Sequence, residues 1–188
     1  GSVAGGGDNF STFSGRSNDA RTSQGQCSFA LFEGTSDYGE VLICDGANKP
    51  FFFKMTGTGA LADRTFFAGE ITVDSTTAPT VGVIHENHFV VGGAPTAKNK
   101  IFFSSTLDPD SFSGSGAGSI QLTDAIVGLA SFRSDLIIFC KNSIFKLINI
   151  SDSNNIAVVP ITQNVGCLDG NSIQEIGGDL LFLSPDGF

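Results

Sequence analysis

The two histidines are the residues best suited to metal or acid–base chemistry. His85 and His88 are the only histidines in the chain, and Glu86 lies between them. A zinc-hydrolase helix carries the pattern H-E-x-x-H, with its histidines four residues apart. The histidines here are three residues apart, and their surroundings are typical of a turn between strands. The pattern therefore favours structural histidines over a metal site.

A second candidate is the acidic loop Leu107–Phe112, which places Asp108 and Asp110 on either side of Pro109. Carboxylate and hydroxyl oxygens are calcium ligands, so a calcium site is one interpretation. The loop lacks the Asp/Asn ladder and distal Glu of an EF-hand. The favoured interpretation is a turn that proline anchors and in which the Asp side chains accept hydrogen bonds from backbone amides. Asp152–Asn155 is a weaker case of the same kind.

Signatures of catalysis and cofactor binding are absent from the sequence. It contains no nucleophile elbow, no P-loop and no dinucleotide fingerprint after a strand. The glycine-rich segment Gly114–Gly118 opens no helix, so it lacks the helix N-terminus that a phosphate-binding loop uses. We therefore expect no catalytic residue, no metal and no cofactor.

The cysteines indicate buried thiols rather than redox or zinc chemistry. Cys27, Cys44, Cys140 and Cys167 show no C-x-x-C spacing. Cys44 and Cys140 lie within apolar runs, where a free thiol behaves as a small hydrophobic group. We expect these two to be reduced and protected from solvent.

The composition is typical of a twisted antiparallel fold. Of 188 residues, 40% are hydrophobic and only 15% are charged, with 24 Gly and 18 Phe. The formal net charge of −9 argues against tight nucleic-acid binding. It is compatible with a wall that DNA passes without specific binding. No signal peptide and no apolar run long enough for a membrane helix are visible, so we expect no membrane insertion.

The elements that would hold these residues are strands. Leu136–Cys140 is a continuous apolar run of strand length, and Ile144–Ile148 is a second. Lys141–Ser143 is the polar break between them, with Asn142 suited to a turn position of positive φ. The sequence thus predicts a tight hairpin, which needs neighbours because a lone hairpin is marginally stable.

The same hairpin pattern occurs four times. The first apolar residues of its leading strands are Val41, Phe89, Leu136 and Leu180, at spacings of 48, 47 and 44 residues. A period of about 40–50 residues with a hairpin in each repeat is typical of β-propeller blades. We therefore predict an all-β chain of antiparallel propeller blades, about four of them visible, belonging to a larger propeller.

The predicted organisation is an irregular arm or outer strand over residues 1–28 and an incomplete propeller segment over residues 29–188. Because the chain begins without Met and ends just after the fourth turn, we expect a piece of a longer polypeptide. The predicted core residues are Leu42, Val90, Leu136, Ile138, Ile144 and Leu181.

Three stretches in this order resemble the β-propeller tail proteins of short-tailed bacteriophages, known as nozzle or tail-stabilisation proteins. They are Lys100–Phe112 (KIFFSSTLDPDSF), Leu129–Leu147 (LASFRSDLIIFCKNSIFKL) and Val165–Gly187 (VGCLDGNSIQEIGGDLLFLSPDG). The resemblance covers about residues 81–188. The remainder shares only the general repeat.

The resemblance implies a virion protein that is made in the host cytoplasm and built into the tail. Copies would form a ring below the portal and adaptor, in contact with other tail proteins and around the DNA exit channel, with no catalytic centre. The residues expected to contact a neighbouring subunit are Leu107, Asp108, Pro109, Asp110 and Phe112. The alternatives are a carbohydrate-binding or carbohydrate-active propeller and a general protein-interaction propeller.

Overall fold

A computed structural model describes residues 27–34, 39–56, 65–74 and 77–187. The predicted arm, apart from its last two residues, lies outside this part of the chain. Fourteen strands and one short 3-10 turn, Gly170–Ser172, make up the regular structure there. The strands are β1 Ser28–Phe32, β2 Glu40–Cys44, β3 Phe51–Thr56, β4 Thr65–Glu70, β5 Val81–His85, β6 His88–Gly92, β7 Lys100–Phe103, β8 Gly118–Gln121, β9 Ile126–Phe132, β10 Asp135–Cys140, β11 Ile144–Ile148, β12 Ala157–Thr162, β13 Gln174–Ile176 and β14 Asp179–Leu181.

The strands form four antiparallel sheets in which each strand pairs with the next along the chain. Sheet 1 is β1–β4, sheet 2 is β5–β8, sheet 3 is β9–β12 and sheet 4 is the hairpin β13–β14. The predicted all-β antiparallel class is confirmed. The four repeated hairpins begin with β2, β6, β10 and β14, each the second strand of its sheet. The period seen in the sequence is therefore the period of the sheets.

Two hairpin turns illustrate how the sequence sets these boundaries. Glu86 and Asn87, between β5 and β6, have positive φ values of 46° and 63°, as the tight turn favoured by strand twist requires. The expectation of positive φ at Asn142 is wrong. The carboxylate of Asp124 holds that turn instead, accepting hydrogen bonds from the Asn142 backbone N–H at 2.7 Å and the Ser143 hydroxyl at 2.8 Å.

The second strand of sheet 3 is buried on both of its faces. Leu136 and Ile138 pack towards sheet 2, in one apolar cluster with Val90 and Ile101. Phe139, one position further along, packs towards sheet 4. Because successive side chains of a strand point to opposite faces, a strand between two sheets must be apolar throughout. This explains the unbroken run that the sequence shows.

A third cluster joins sheets 1 and 2, through Leu42 and Cys44 on one side and Phe89 and Val91 on the other. The sheets are thus stacked face to face in chain order. Their first strands also lie together, β1 beside β5 and β5 beside β9.

Glycine permits the close approach between sheets 3 and 4. A Cβ built on Gly128 in β9 would lie 2.3 Å from the Ile173 side chain and 3.1 Å from the Gly170 Cα. Only a residue without a side chain fits so close to a neighbouring backbone.

Five of the six predicted core residues are buried, namely Leu42, Val90, Leu136, Ile138 and Ile144. The prediction for Leu181 is wrong, because its side chain is 41% exposed. Leu180 packs on sheet 3 instead. Adjacent strand residues face opposite sides, so an error of one position moves the side chain from the core to the surface.

The prediction for the thiols is confirmed. Cys44 and Cys140 are free and buried. Burial raises the pKa of Cys140 to about 12, and burial likewise raises that of Cys44. Pro160 lies in β12, which is an edge strand of sheet 3 and tolerates a residue without an N–H. Among the described residues, no helix is long and apolar enough to span a bilayer.

Truncating a side chain in this core tests the assignment of the buried strand. Ile138→Ala should lower the free energy of unfolding by about 2–5 kcal/mol, because it removes buried methyl groups and leaves a cavity. The control is Ile161→Ala on β12, since Ile161 is 54% exposed. Chemical denaturation of both variants measures the difference. Equal losses of stability would contradict the packing described above.

Candidate functional site

The loop between β7 and β8, residues 104–117, has an ordered polar scaffold. The Ser105 N–H donates to the Ser111 carbonyl at 2.8 Å, and Ser105 and Asp108 form an isolated β-bridge. The Leu107 N–H donates to the Asn87 carbonyl at 2.9 Å, which ties the loop to the β5–β6 turn. The loop therefore has a fixed shape at one end of sheet 2.

The predicted contact residues divide into an exposed tip and a buried base. Leu107 is 46% exposed and Asp108 is exposed, whereas Pro109 is buried and Asp110 is half-buried. Phe112 turns inward and packs edge-on against Phe89, with ring centroids 6.2 Å apart. Leu107 and Asp108 are consequently the two of these residues most available to a partner.

His88 anchors the loop from below. The imidazole is fully buried, and its Nδ1 lies 2.6 Å from the Ser104 carbonyl oxygen. A carbonyl only accepts hydrogen bonds, so Nδ1 carries the proton. Nε2 then accepts from the Thr106 hydroxyl at 3.2 Å and lies 3.3 Å from the Ser151 hydroxyl, beyond β11. This histidine joins the loop to sheet 3, in agreement with the structural role that its spacing favoured.

His85 is the second buried histidine and lies at the end of β5. Its Nδ1 is 2.9 Å from the Ser131 hydroxyl in β9, and its Nε2 has no hydrogen-bond partner among the described residues. Burial lowers the pKa of His85. As a neutral imidazole that connects sheet 2 to sheet 3, His85 has a packing role, as His88 does.

A cluster of opposite charges, formed by Lys54, Glu40 and Asp110, joins the base of the loop to sheet 1. Lys54 Nζ lies 3.5 Å from Glu40 Oε1 and 3.9 Å from Asp110 Oδ2. Glu40 is buried, and its Oε2 has no hydrogen-bond partner in the described part of the chain. Burial raises the pKa of Glu40, although the charge of Lys54 opposes the shift.

The two loop carboxylates interact directly. A hydrogen bond with the Asp110 carboxyl raises the pKa of Asp108, and partial burial acts in the same direction. Over the described ranges, no three or more His, Cys, Asp or Glu side chains form a group that could hold a metal ion.

A cleft of about 530 Å³ lies where the first strands of the sheets come together. Sequence patterns alone did not identify it. Its lining includes Ser28 and Phe29 of β1, Gly82 of β5, Gly128 of β9 and Asp169 before β13. The Asp169 carboxylate accepts from the Asn171 N–H at 2.9 Å. The residues of this lining are far apart in the sequence, and only the packing of the first strands against one another brings them together around a space.

No protein-family model and no curated protein matches this chain. The interpretation of the site therefore depends on its residues and geometry. These show an ordered loop with an exposed apolar tip, and a central cleft whose described lining holds one carboxylate, Asp169.

The raised pKa values of Glu40 and Asp108 predict a specific dependence of the free energy of unfolding on pH. Raised pKa values mean that the folded chain binds protons more readily than the unfolded chain. The stability from Glu40 and Asp108 is full below their unfolded pKa values, ordinarily 4.5 and 3.8, and is lost as pH rises through the raised folded values. Glu40→Gln removes one of these ionisations. From about pH 4 to about pH 7, the wild type should therefore lose stability relative to this variant.

Melting temperatures of both proteins across this pH range measure the difference. Glu33→Gln is the matched control, since Glu33 is exposed, and its melting curve should follow the wild type. Parallel pH profiles for the wild type and Glu40→Gln would contradict the assigned burial of the carboxylate.

Proposed function

We propose that this chain is a structural component of a phage tail, of the nozzle type, that acts by assembling into a ring around the DNA exit channel. In this proposal the protein has no enzymatic role and is incorporated into the virion after synthesis in the host cytoplasm. Its partners are further copies of itself, the portal and adaptor, and other tail proteins.

The observation that carries the proposal is the repeated stacking of meander sheets whose first strands converge. We interpret sheets 1–4 as successive blades of a propeller. Three apolar clusters join each sheet to the next, and the first strands are neighbours, β1 beside β5 and β5 beside β9. A propeller arranges four-stranded sheets radially around a central channel, and the stacking of consecutive sheets supports that interpretation. Such a stack is a rigid scaffold suited to a load-bearing ring.

The distribution of charge supports passage of DNA without binding. Exposed carboxylates of Glu86, Asp108 and Asp152 lie at the same end of sheets 2 and 3. A hydrogen bond of 3.2 Å from the Ser151 hydroxyl to Glu86 shows how close these turns are. Together with the net charge of −9, they would repel a passing phosphate backbone.

The backbone at Leu107 supports a contact role for the loop. This residue has φ of 61°, a left-handed conformation that costs a residue with a side chain roughly 1–2 kcal/mol. Glycine or asparagine would occupy the position at lower cost. Strain of this kind concentrates at functional sites, so an exposed leucine held in that conformation supports a contact role for its side chain.

The alternative is a carbohydrate-binding or carbohydrate-active propeller, and the central cleft is the observation that favours it. Hydrolysis of glycosides generally uses a pair of carboxylates, and sugar binding uses aromatic faces. Among the described residues that line the cleft, Asp169 is the one carboxylate and Phe29 is the one aromatic residue. The cleft thus gives weaker support to this alternative than the sheet stacking gives to a scaffold.

Imaging of particles tests the function directly. Cryo-electron microscopy of virions should show a uniform ring of this chain below the portal, and particles made without the gene product should lack that ring. A glycan-hydrolysis assay on the purified protein provides the opposing test. A monomer that cleaves glycans, with no density in the tail, would end the proposal.

A substitution at the loop tip separates stability from assembly. Leu107→Asn should keep or raise the free energy of unfolding, by up to about 1 kcal/mol, because asparagine tolerates the left-handed backbone better. The same variant should weaken ring assembly, because the apolar contact is lost. Denaturation and particle reconstitution measure the two effects, with Ile161→Asn as an exposed control distant from the loop. Full assembly with Leu107→Asn would exclude the tip as a contact.

A further inference from the structure

Lys54 lies between two carboxylates that belong to different parts of the fold. Its Nζ is 3.5 Å from Glu40 Oε1 on β2 and 3.9 Å from Asp110 Oδ2 in the 104–117 loop. Glu40 and Lys54 are directly opposite each other in the β2–β3 pair, so sheet 1 holds both of them. An amine that attacks a carboxyl carbon needs a second group that takes up and returns its protons. These three side chains are therefore the components of an amide-forming reaction.

Glu40 has the properties of a proton carrier. Its side chain is only 10% exposed, and its Oε2 has no hydrogen-bond partner in the described part of the chain. Burial raises the pKa of this carboxyl, although the charge of Lys54 opposes the shift. Carboxyl groups whose pKa is raised by burial serve as general acids and bases near neutral pH. Glu40 is thus placed to take a proton from the Lys54 ammonium and to pass it on.

Asp110 is the carboxyl that is prepared for attack. It shares a hydrogen bond with the Asp108 carboxyl, and this bond raises the pKa of Asp108. Two carboxyl groups in such contact hold a proton between them, which withdraws negative charge from the acceptor. A donor in this position also stabilises the charge that develops on the carboxyl oxygen during attack. The Asp110 side chain is 34% exposed, so a released water molecule has a way out.

We propose that Lys54 and Asp110 become joined by an amide bond that forms within the folded chain and requires Glu40. The ammonium of Lys54 gives a proton to the Glu40 carboxylate, which passes it to the Asp110 carboxylate. The amine nitrogen attacks Cγ of Asp110 and forms the new N–C bond. A second amine proton then moves through Glu40 to a hydroxyl of the tetrahedral intermediate, the C–O bond breaks, and water leaves. One ammonium and one carboxylate are converted into one amide and one water, without an oxidant and without a change in net charge.

Proximity is what makes this reaction possible without an external catalyst. Well-oriented groups within one molecule react at effective concentrations of about 10⁵–10⁸ M. Strand β3 holds the amine, and a hydrogen bond of 2.8 Å from the Ser105 N–H to the Ser111 carbonyl fixes the loop that carries the acid. The ring of Phe52 lies against the amine, with its centroid 4.9 Å from Lys54 Nζ. The inference goes beyond the proposed function and is independent of the tail assignment.

The pair of Lys146 and Asp135 provides a comparison within the same chain. Lys146 Nζ lies 3.0 Å from Asp135 Oδ2, which is closer than Lys54 lies to Asp110. Within the described ranges, the ion pairing of Lys146 involves Asp135 alone, so a second carboxylate to carry the protons is missing. We therefore expect Lys146 and Asp135 to remain an ion pair.

Intact-mass spectrometry of the full 188-residue chain tests the bond. The wild type should weigh one water less than its sequence requires, and digestion should release a branched peptide joined through Lys54 and Asp110. Lys54→Arg keeps the positive charge but removes the nucleophile, and Glu40→Gln keeps the shape but removes the proton carrier. Asp110→Ala removes the electrophile on the loop. Each of these three variants should have the full mass of its own sequence.

Lys146→Arg is the matched control and should lose one water as the wild type does. Circular dichroism checks that every variant is folded, so that a full mass reports the missing chemistry and not an unfolded chain. Asp110 is partly exposed, and its alanine variant serves where the change at the buried Glu40 prevents folding.

Four results would overturn the inference. One is a wild type of full mass. Another is a loss of water that persists in Lys54→Arg, because it would indicate an aspartate that has cyclised on its own backbone. The third is a branched peptide that joins Lys54 to Glu40, and the fourth is a Glu40→Gln variant that still forms the bond. A ring seen in virions alongside any of these would leave the proposed function intact and exclude only the amide bond.

Discussion

The burial of β6 and β10 on both of their faces is the constraint on which the rest of the structure depends. Leu136 and Ile138 pack on one neighbouring sheet, and Phe139 packs on the other. Burying a large aliphatic or aromatic side chain contributes about 1.5–3 kcal/mol, so a sheet with two apolar faces is stable only between two others. One repeat cannot fold alone under this condition, and the stack follows from the alternation of side chains along a single strand.

Polar contacts then set the positions of the loops relative to the stack. His88 connects the 104–117 loop to sheet 3, and Lys54 connects the loop to sheet 1. Asp124, which precedes β9, holds the β10–β11 turn through hydrogen bonds from Asn142 and Ser143. Burial acts to raise the pKa of the Asp124 carboxyl, but these hydrogen bonds outweigh it and hold the pKa below the usual range. The loops are thus fixed by contacts between sheets, so that a change in stacking would alter the surface offered to a partner.

The period, the strand class and most of the core could be predicted from the sequence, because unbroken apolar runs such as Leu136–Cys140 carry that information directly. The side of the sheet on which Leu181 lies could not be predicted. Leu180 and Leu181 are adjacent leucines in a short hairpin, and no apolar pattern there shows which of the two faces the core. The pairing of Glu40 with Lys54 and the tie between His88 and Ser151 also escaped prediction. They join residues of different strands or sheets, and their geometry depends on register and sheet packing.

Side-chain size sets how closely neighbouring sheets approach one another. Where the first strands converge, glycine is needed, as Gly128 shows by lying against Gly170 and Ile173. Further along sheet 3 an aromatic pair fills the space instead, Phe139 of β10 against Phe182, with ring centroids 5.0 Å apart. Any side chain at position 128 would collide with Ile173 and with the backbone at Gly170, so the spacing of sheets 3 and 4 at this point depends on a single residue.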